Sequence, residues 1–354
     1  MTDTTPPDRS RLGVGPVGRL RPLAAALLAI GLWATSSAGM AAEPLWGVNG
    51  HPLTSYPGIG LDQQLDLLLS AGLRSYRVDV TAFTQLDRLR SLVDAAKARG
   101  LTILPVLIPP VDLKVQSDDA LYTQSRQFAK IVVDLFKGEV PVWELGNETE
   151  NFAILKPCDM RDDGTQYPCA WGPAGGVEAL DYAGPRVRKV LAVLRGLSDG
   201  VSLADPGARR AMGSAGWGHT GIFDRMHEAG VAWDISVWHL YGADPEWAFK
   251  RLSRFGKPIW VTEFNHPTGS NKDGETMQAA SLEATMADLR RLAPVYSIEA
   301  AYVYELCDEA YWGTSDEAFM GLVHLRKLGD SGWSLGEAKP AFATVQRMIA
   351  AGGK

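Results

Sequence analysis

Two segments far apart in the chain end on carboxylates placed to exchange protons or to attack an electrophile. One reads Val140-Pro141-Val142-Trp143-Glu144-Leu145-Gly146-Asn147-Glu148, the other Pro258-Ile259-Trp260-Val261-Thr262-Glu263-Phe264-Asn265. Each is an apolar, aromatic or β-branched run of strand length. Glu148 follows Asn147, whose amide can donate a hydrogen bond to a hydroxyl of a bound molecule. Strand alternation assigns Ile259, Val261 and Glu263 to one face, with the two apolar residues filling a layer and Glu263 at its rim. Two carboxyls facing each other across a pocket suit glycosidic cleavage. One, protonated, donates to the leaving oxygen, while the other, ionised, attacks the anomeric carbon. A lone Glu at a strand end is as readily a solvated surface residue. A pair at the ends of two strands, one behind an Asn, favours the catalytic reading.

Such a pair needs a scaffold that brings distant strand ends together. Strand-like runs recur at 45–49, 75–80, 102–108, 140–146, 210–214, 235–241, 259–264 and 300–306. Between them, residues 61–71, 86–99, 121–136, 185–197, 221–229, 245–255 and 277–292 carry apolar positions three and four apart, as amphipathic helices do. Gly72, Gly100, Gly138, Gly230 and Gly256 mark helix ends. Strict alternation implies parallel strands joined by right-handed crossovers. The expectation is an α/β chain forming one (β/α)8 TIM barrel over residues 43–354, with an open doubly wound sheet as the alternative. A barrel places its chemistry at the C-terminal ends of the strands, where both Glu lie.

These motifs resemble clan A of the glycoside hydrolases, retaining enzymes on a (β/α)8 barrel. There an Asn-Glu pair ending strand four supplies the acid/base and a Glu ending strand seven the nucleophile. The resemblance implies those roles for Glu148, beside Asn147, and for Glu263. Trp238-His239-Leu240-Tyr241 is similar to the His-x-Tyr that often closes strand six, and Arg77 to the Arg common at strand two. Phe319-Met320-Gly321-Leu322-Val323 and Lys339-Pro340-Ala341-Phe342 resemble the tail after the eighth strand. One departure stands out: many members carry a Trp at the end of strand eight, whereas this chain reads Tyr302-Val303-Tyr304-Glu305-Leu306-Cys307-Asp308. Either Tyr304 serves as the platform or the subsite is more open. Size and leader are similar to those of bacterial exopolysaccharide-associated members, of family 39 or family 5 type. The resemblance implies a retaining β-glycoside hydrolase acting on a polysaccharide or oligosaccharide without a cofactor. The alternatives are a non-catalytic carbohydrate-binding barrel in polysaccharide export and a transglycosylase using the same residues.

Other candidates follow from position. Alternation turns His239 and Tyr241 toward the pocket and Trp238 toward the helices. Arg77 would keep a nearby nucleophile ionised, or else pair with Asp79. Glu144 reads as a charge paired inside the barrel. His51, after the first strand, is within reach of a sugar. Cys158 and Cys169 are expected to form a disulfide in the long segment 151–176, pinning it beside the site, and Cys307 to be a buried filler. Of eleven Trp, residues 46, 143, 233, 238, 247 and 260 suit packing. Trp171, Trp217 and Trp312 follow strands four, five and eight, where flat rings stack on sugar faces.

Composition bounds these readings. With 354 residues, 46% of them hydrophobic and only three Cys, the chain is neither disordered nor a disulfide-built scaffold. Residues 1–42 have the pattern of a secretory signal peptide. Arg9, Arg11, Arg19 and Arg21 precede an apolar run from Leu23 to Trp33, and small residues lead to Ala41-Ala42. That run is shorter than the roughly 20 residues that span a bilayer. The expectation is an exported protein, periplasmic or secreted, with no stable membrane span after cleavage. Losing this leader removes four Arg and two Asp and takes the formal net charge from −6 to −8, which disfavours nucleic acid. Gly13-Val14-Gly15-Pro16-Val17-Gly18 fits a dinucleotide fingerprint but lacks the strand before it and the helix after it. The six His show no zinc-hydrolase spacing, so no metal is expected, and neither a serine-hydrolase elbow nor a Walker loop occurs.

Overall fold

The computed structural model describes residues 43–242, 244–329 and 332–352. The expected signal peptide lies outside the described residues. Eight parallel strands close in sequence order: β1 (Leu45–Asn49), β2 (Ser75–Val80), β3 (Thr102–Leu107), β4 (Val142–Leu145), β5 (Arg209–Met212), β6 (Ile235–Tyr241), β7 (Ile259–Asn265) and β8 (Ile298–Val303). Because β1 pairs with β8 as well as with β2, the sheet has no edge, and the open doubly wound alternative is excluded. The crossovers are α1 (Leu61–Ser70), α2 (Leu86–Ala98), α3 (Asp118–Asp134), α4 (Gly184–Ala204), α5 (Gly221–Glu228), α6 (Glu246–Ser253) and α7 (Gly274–Tyr296). This is a (β/α)8 TIM barrel. Among the described residues no helix is long and apolar enough to cross a membrane.

Element boundaries move by a few residues for local reasons. Helix α3 begins three residues before its first apolar position because Ser117 caps it, accepting a hydrogen bond from the Ala120 amide. Helix α4 runs past Leu197 because Val201 and Ala204 continue its buried stripe. After β8 the chain forms an antiparallel hairpin of β9 (Val323–Leu328) and β10 (Gly332–Ala338), then α8 (Pro340–Gly352), none of which the periodicity announced. Pro340 opens α8 at a position where its missing N–H costs nothing.

Side chains alternate between two apolar layers. Inside the barrel lie Leu45, Leu104, Val142, Ala211, Ile235, Val237, Trp260, Ala300 and Tyr302. Outside, residues such as Val48, Tyr76, Trp143, Val261 and Phe264 meet the helices. The Tyr302 ring fits inside because β1 offers a glycine there: a Cβ on Gly47 would lie 2.3 Å from that ring. Tyr302 and Trp260, with ring centroids 6.2 Å apart, floor the barrel beneath the site.

One strand departs from simple alternation. Ile259 and Val261 pack outward against the helices, while Trp260 packs inward, the reverse of the expectation for the lower part of β7. By strict alternation Glu263 would then face outward. Pairing with β6 jumps from Trp238↔Val261 to His239↔Glu263, and pairing with β8 is irregular between Val261 and Phe264. Thr262 is the extra residue of a β-bulge, a device that re-aims the side chain beyond it. Thr262 Oγ1 donates to Glu144 inside the barrel, and Glu263 also turns inward. The predicted orientation of Glu263 holds, but the bulge produces it.

Candidate active site

At the C-terminal ends of the strands, Arg77 of β2 connects the polar groups. Its Nε and Nη2 donate to the two oxygens of Glu144 at 2.7 and 2.8 Å. Its Nη1 donates to Glu263 Oε1 at 2.8 Å and to Asn49 Oδ1 at 2.7 Å, and Nη2 also donates to Asn147 Oδ1 at 2.8 Å. Arg77 and Glu144 are buried, so this bidentate pair has little competition from water. Burial alone would lower the guanidinium pKa, but the charges of Glu144 and Glu263 outweigh it and push it up. Glu144 is thus the paired interior charge that its position implies. Arg77 forms no ion pair with Asp79, which lies instead 3.3 Å from His51 Nδ1.

Glu263 accepts a second hydrogen bond, 2.7 Å from the Tyr241 hydroxyl of β6. Burial and the neighbouring Glu263 charge hold the Tyr241 pKa well above its ordinary value, so this phenol remains a donor. Glu148 lies three residues beyond β4. Its Oε1 is 2.9 Å from His239 Nδ1, and its Oε2 accepts from Asn151 Nδ2 at 3.2 Å. His239 Nδ1 is also 3.3 Å from Glu263 Oε2, so one ring nitrogen serves both carboxylates. An oxygen of Glu148, one of Glu263 and a nitrogen of His239 all lie within 4.8 Å of one another. Burial opposes protonation of His239, but the Glu263 charge and the Glu148 hydrogen bond raise its pKa.

Backbone geometry sets these positions. Glu148 has φ 49° and ψ 31°, a left-handed conformation that side chains with a Cβ rarely adopt and that surrounding contacts must hold. The adjoining turn, Thr149–Phe152, buries Glu150, which accepts from the Ala215 amide at 2.6 Å and ties the loop after β4 to the loop after β5. In that second loop Trp217 also has positive φ, 52°. Its neighbour Gly216 must be glycine, because a Cβ there would lie 1.9 Å from the His239 carbonyl.

Arg77, Asn147, Glu148, Tyr241, Glu263 and Tyr304 line a cavity of about 530 Å³, with His51 on one wall and the exposed rings of Trp217 and Trp312 at the rim. His239 is buried beneath Glu148. Trp171 is absent from this lining: its exposed ring meets Tyr167 edge-on, with centroids 5.9 Å apart. Cys158 and Cys169 are disulfide-bonded in the same segment, and Cys307 is a buried thiol. Four acidic residues of this region had no site role in the sequence: Asp79, named only as an alternative partner of Arg77, and Glu305, Glu309 and Glu317. Asp79 carried a usable signal, since it follows Arg77 by two on the same strand face. The other three lie beyond β8 in irregular chain, where no period assigns a face.

No family model and no curated protein matches the chain. Solved structures do resemble it. A family 39 glycoside hydrolase from Bacteroides cellulosilyticus WH2 shares 17% identity at TM-score 0.59, over 87% of this chain and 64% of that one. A β-glucosidase from Thermotoga maritima, in complex with cyclophellitol, shares 12% at TM-score 0.61, over 87% and 98%. The exo-β-1,4-mannosidase Op5Man5 from Opitutaceae bacterium strain TAV5 shares 17% at TM-score 0.57, over 89% and 60%. The chain therefore spans less than two thirds of the length of the first and third. At these identities the likeness establishes the fold alone, a (β/α)8 barrel.

Proposed function

We propose that the chain is an exported retaining β-glycoside hydrolase cleaving a polysaccharide or oligosaccharide. The carrying observation is the approach of Glu148 and Glu263, which bring carboxylate oxygens within 4.8 Å of each other. Retaining enzymes hold their carboxyls about 5–5.5 Å apart, whereas inverting enzymes leave about 6.5–9.5 Å for a water. In this reading Glu263, fixed by Arg77 and Tyr241, attacks the anomeric carbon. Glu148 gives its proton to the departing oxygen as that bond breaks. Glu148, now ionised, then takes a proton from water, whose oxygen displaces Glu263 from the sugar and restores both carboxyls. Arg77 supplies the countercharge for Glu263 before attack and after release. Asn147, His51, Tyr304 and the rim rings of Trp217 and Trp312 would hold the sugars. Export rests on the leader of residues 1–42, and the lean toward exopolysaccharide rests on the sequence resemblance.

The test is a polysaccharide panel scored by new reducing ends, with Glu263→Gln and Glu148→Gln as controls and the anomeric configuration of the first product read by NMR. The expected result is turnover with retained configuration that collapses in Glu263→Gln while saccharide binding survives. Saccharide affinity without turnover would overturn the assignment in favour of a non-catalytic binding barrel, and turnover indifferent to Glu263→Gln would overturn the role of Glu263 as nucleophile. Products longer than the substrate would identify a transglycosylase.

A further inference from the structure

A second group of chemically active side chains gathers where β8, β1 and β2 adjoin: His51 and Glu309 line the cavity and Glu305 is fully buried. His51 Nε2 points between two carboxylates, 3.5 Å from Glu305 Oε2 and 3.4 Å from Glu309 Oε1. These separations are longer than the 2.7–2.9 Å or so of a charge-assisted hydrogen bond. His51 Nε2 is buried and has no hydrogen-bond partner, and neither has Oε1 of the fully buried Glu305. A buried polar atom left unpaired in this way is costly. We propose that His51, Glu305 and Glu309 form a divalent-cation site, with zinc the best-suited ion.

The spacing fits an ion placed between the three groups. Zinc binds imidazole and carboxylate at about 2.0–2.2 Å, and two ligands at the corners of a tetrahedron of that size lie about 3.3–3.6 Å apart. Both measured nitrogen–oxygen separations fall in that interval. The donors are also held from behind, as ligands of a built site are. Asp79 lies 3.3 Å from the other ring nitrogen of His51, the arrangement that fixes a ligating imidazole. Tyr56 donates to Glu305 Oε2 at 2.8 Å, Trp312 Nε1 donates to Glu309 Oε2 at 2.9 Å, and the Tyr311 hydroxyl donates to Glu309 Oε1.

Charge points the same way. Asp79, Glu305 and Glu309 face a single imidazole, so the cluster holds more negative than positive groups. Three protein ligands leave a fourth position open to water or a sugar hydroxyl. The Tyr304 ring lies 6.3 Å from His51 and 6.3 Å from Tyr241, the donor to Glu263, so an ion here would grip a ligand one aromatic ring away from the nucleophile. One imidazole with two carboxylates suits zinc better than calcium or magnesium, which favour all-oxygen sets.

The experiment strips the protein with a chelator and titrates zinc chloride by calorimetry at pH 7.5, with calcium and magnesium chlorides in parallel. The wild type should bind one zinc ion and melt at a higher temperature with it. His51→Gln and Glu309→Gln, checked for folding by circular dichroism, should each bind zinc at least tenfold more weakly. Glu148→Gln should bind it as the wild type does. The proposal falls if the wild type takes up no stoichiometric zinc. It also falls if neither cavity-wall variant weakens binding, or if Glu148→Gln abolishes it, which would move the ion to the other carboxylate pair. Because the readout is binding, the result stands whether or not any saccharide is cleaved.

Discussion

Replacing Arg77 by Met tests the electrostatic heart of the site. Arg77 is 3% exposed and donates five hydrogen bonds: two to Glu144 and one each to Glu263, Asn49 and Asn147. Met fills much of the same volume, so the loss is chiefly of charge and donors. Glu144, fully buried, would keep only the 3.2 Å hydrogen bond from Thr262. Breaking a buried pair by removing one partner costs about 3–5 kcal/mol. For roughly 310 ordered residues the unfolding entropy is about 0.65 kcal/mol/K, so that cost lowers Tm by about 5–8 °C. Adding Glu144→Gln removes the stranded charge, so the double variant should lose less than Arg77→Met alone. Scanning calorimetry of both variants and of Glu144→Gln closes the cycle. A Tm for Arg77→Met within about 1 °C of wild type, or a double variant showing the sum of the single losses, would refute the claim that Arg77 and Glu144 act as a unit.

Three further outcomes follow from the same geometry. Tyr241→Phe removes a hydrogen bond to a charged group, worth about 1.5–3 kcal/mol. Turnover of an aryl glycoside should fall about 10- to 150-fold with KM little changed. Trp217→Ala and Trp312→Ala each remove a stacking ring worth roughly 1 kcal/mol, so KM for an oligosaccharide should rise about fivefold in each, whereas Trp171→Ala, outside the cavity, should leave it unchanged. The His51 pKa is raised to about 10, because Asp79, Glu305 and Glu309 overcome the opposing effect of burial. A raised folded-state value means stability that is complete below the ordinary His range near pH 6.5 and is lost as pH climbs through 10. In EDTA, the stability advantage of wild type over His51→Gln should shrink between pH 7 and 10. Urea unfolding at several pH values measures this, and an advantage constant across that range would count against the pairing.

Strand and helix periodicity sufficed to place eight strands and seven helices, because a parallel barrel buries both faces of every strand and each crossover helix must show one apolar stripe. It missed the β9–β10 hairpin and α8, since the alternation that carried the inference stops at β8. The site was partly legible for the same reason. Arg77, His239 and Tyr241 sit on regular strands, where a period of two assigns the face, and the structure finds all three around Glu148 and Glu263.

Glu263 shows the limit of pattern reading. Its inward orientation was inferred from Ile259 and Val261, yet both of these face outward and the bulge at Thr262 turns Glu263 back. A bulge arises from how neighbouring strands register, and no single strand carries that information. The left-handed turn at Glu148 and the grouping of His51 with Glu305 and Glu309 were hidden likewise, since loops have no period and their contacts reach far along the chain, 91 residues from Glu148 to His239 and more than two hundred from His51 to Glu305. Sequence by itself determined which residue types stand at the strand ends and hence the class of chemistry they suit. Tertiary structure decided which carboxylates face one another, because closing the barrel fixes distances that local propensity leaves free.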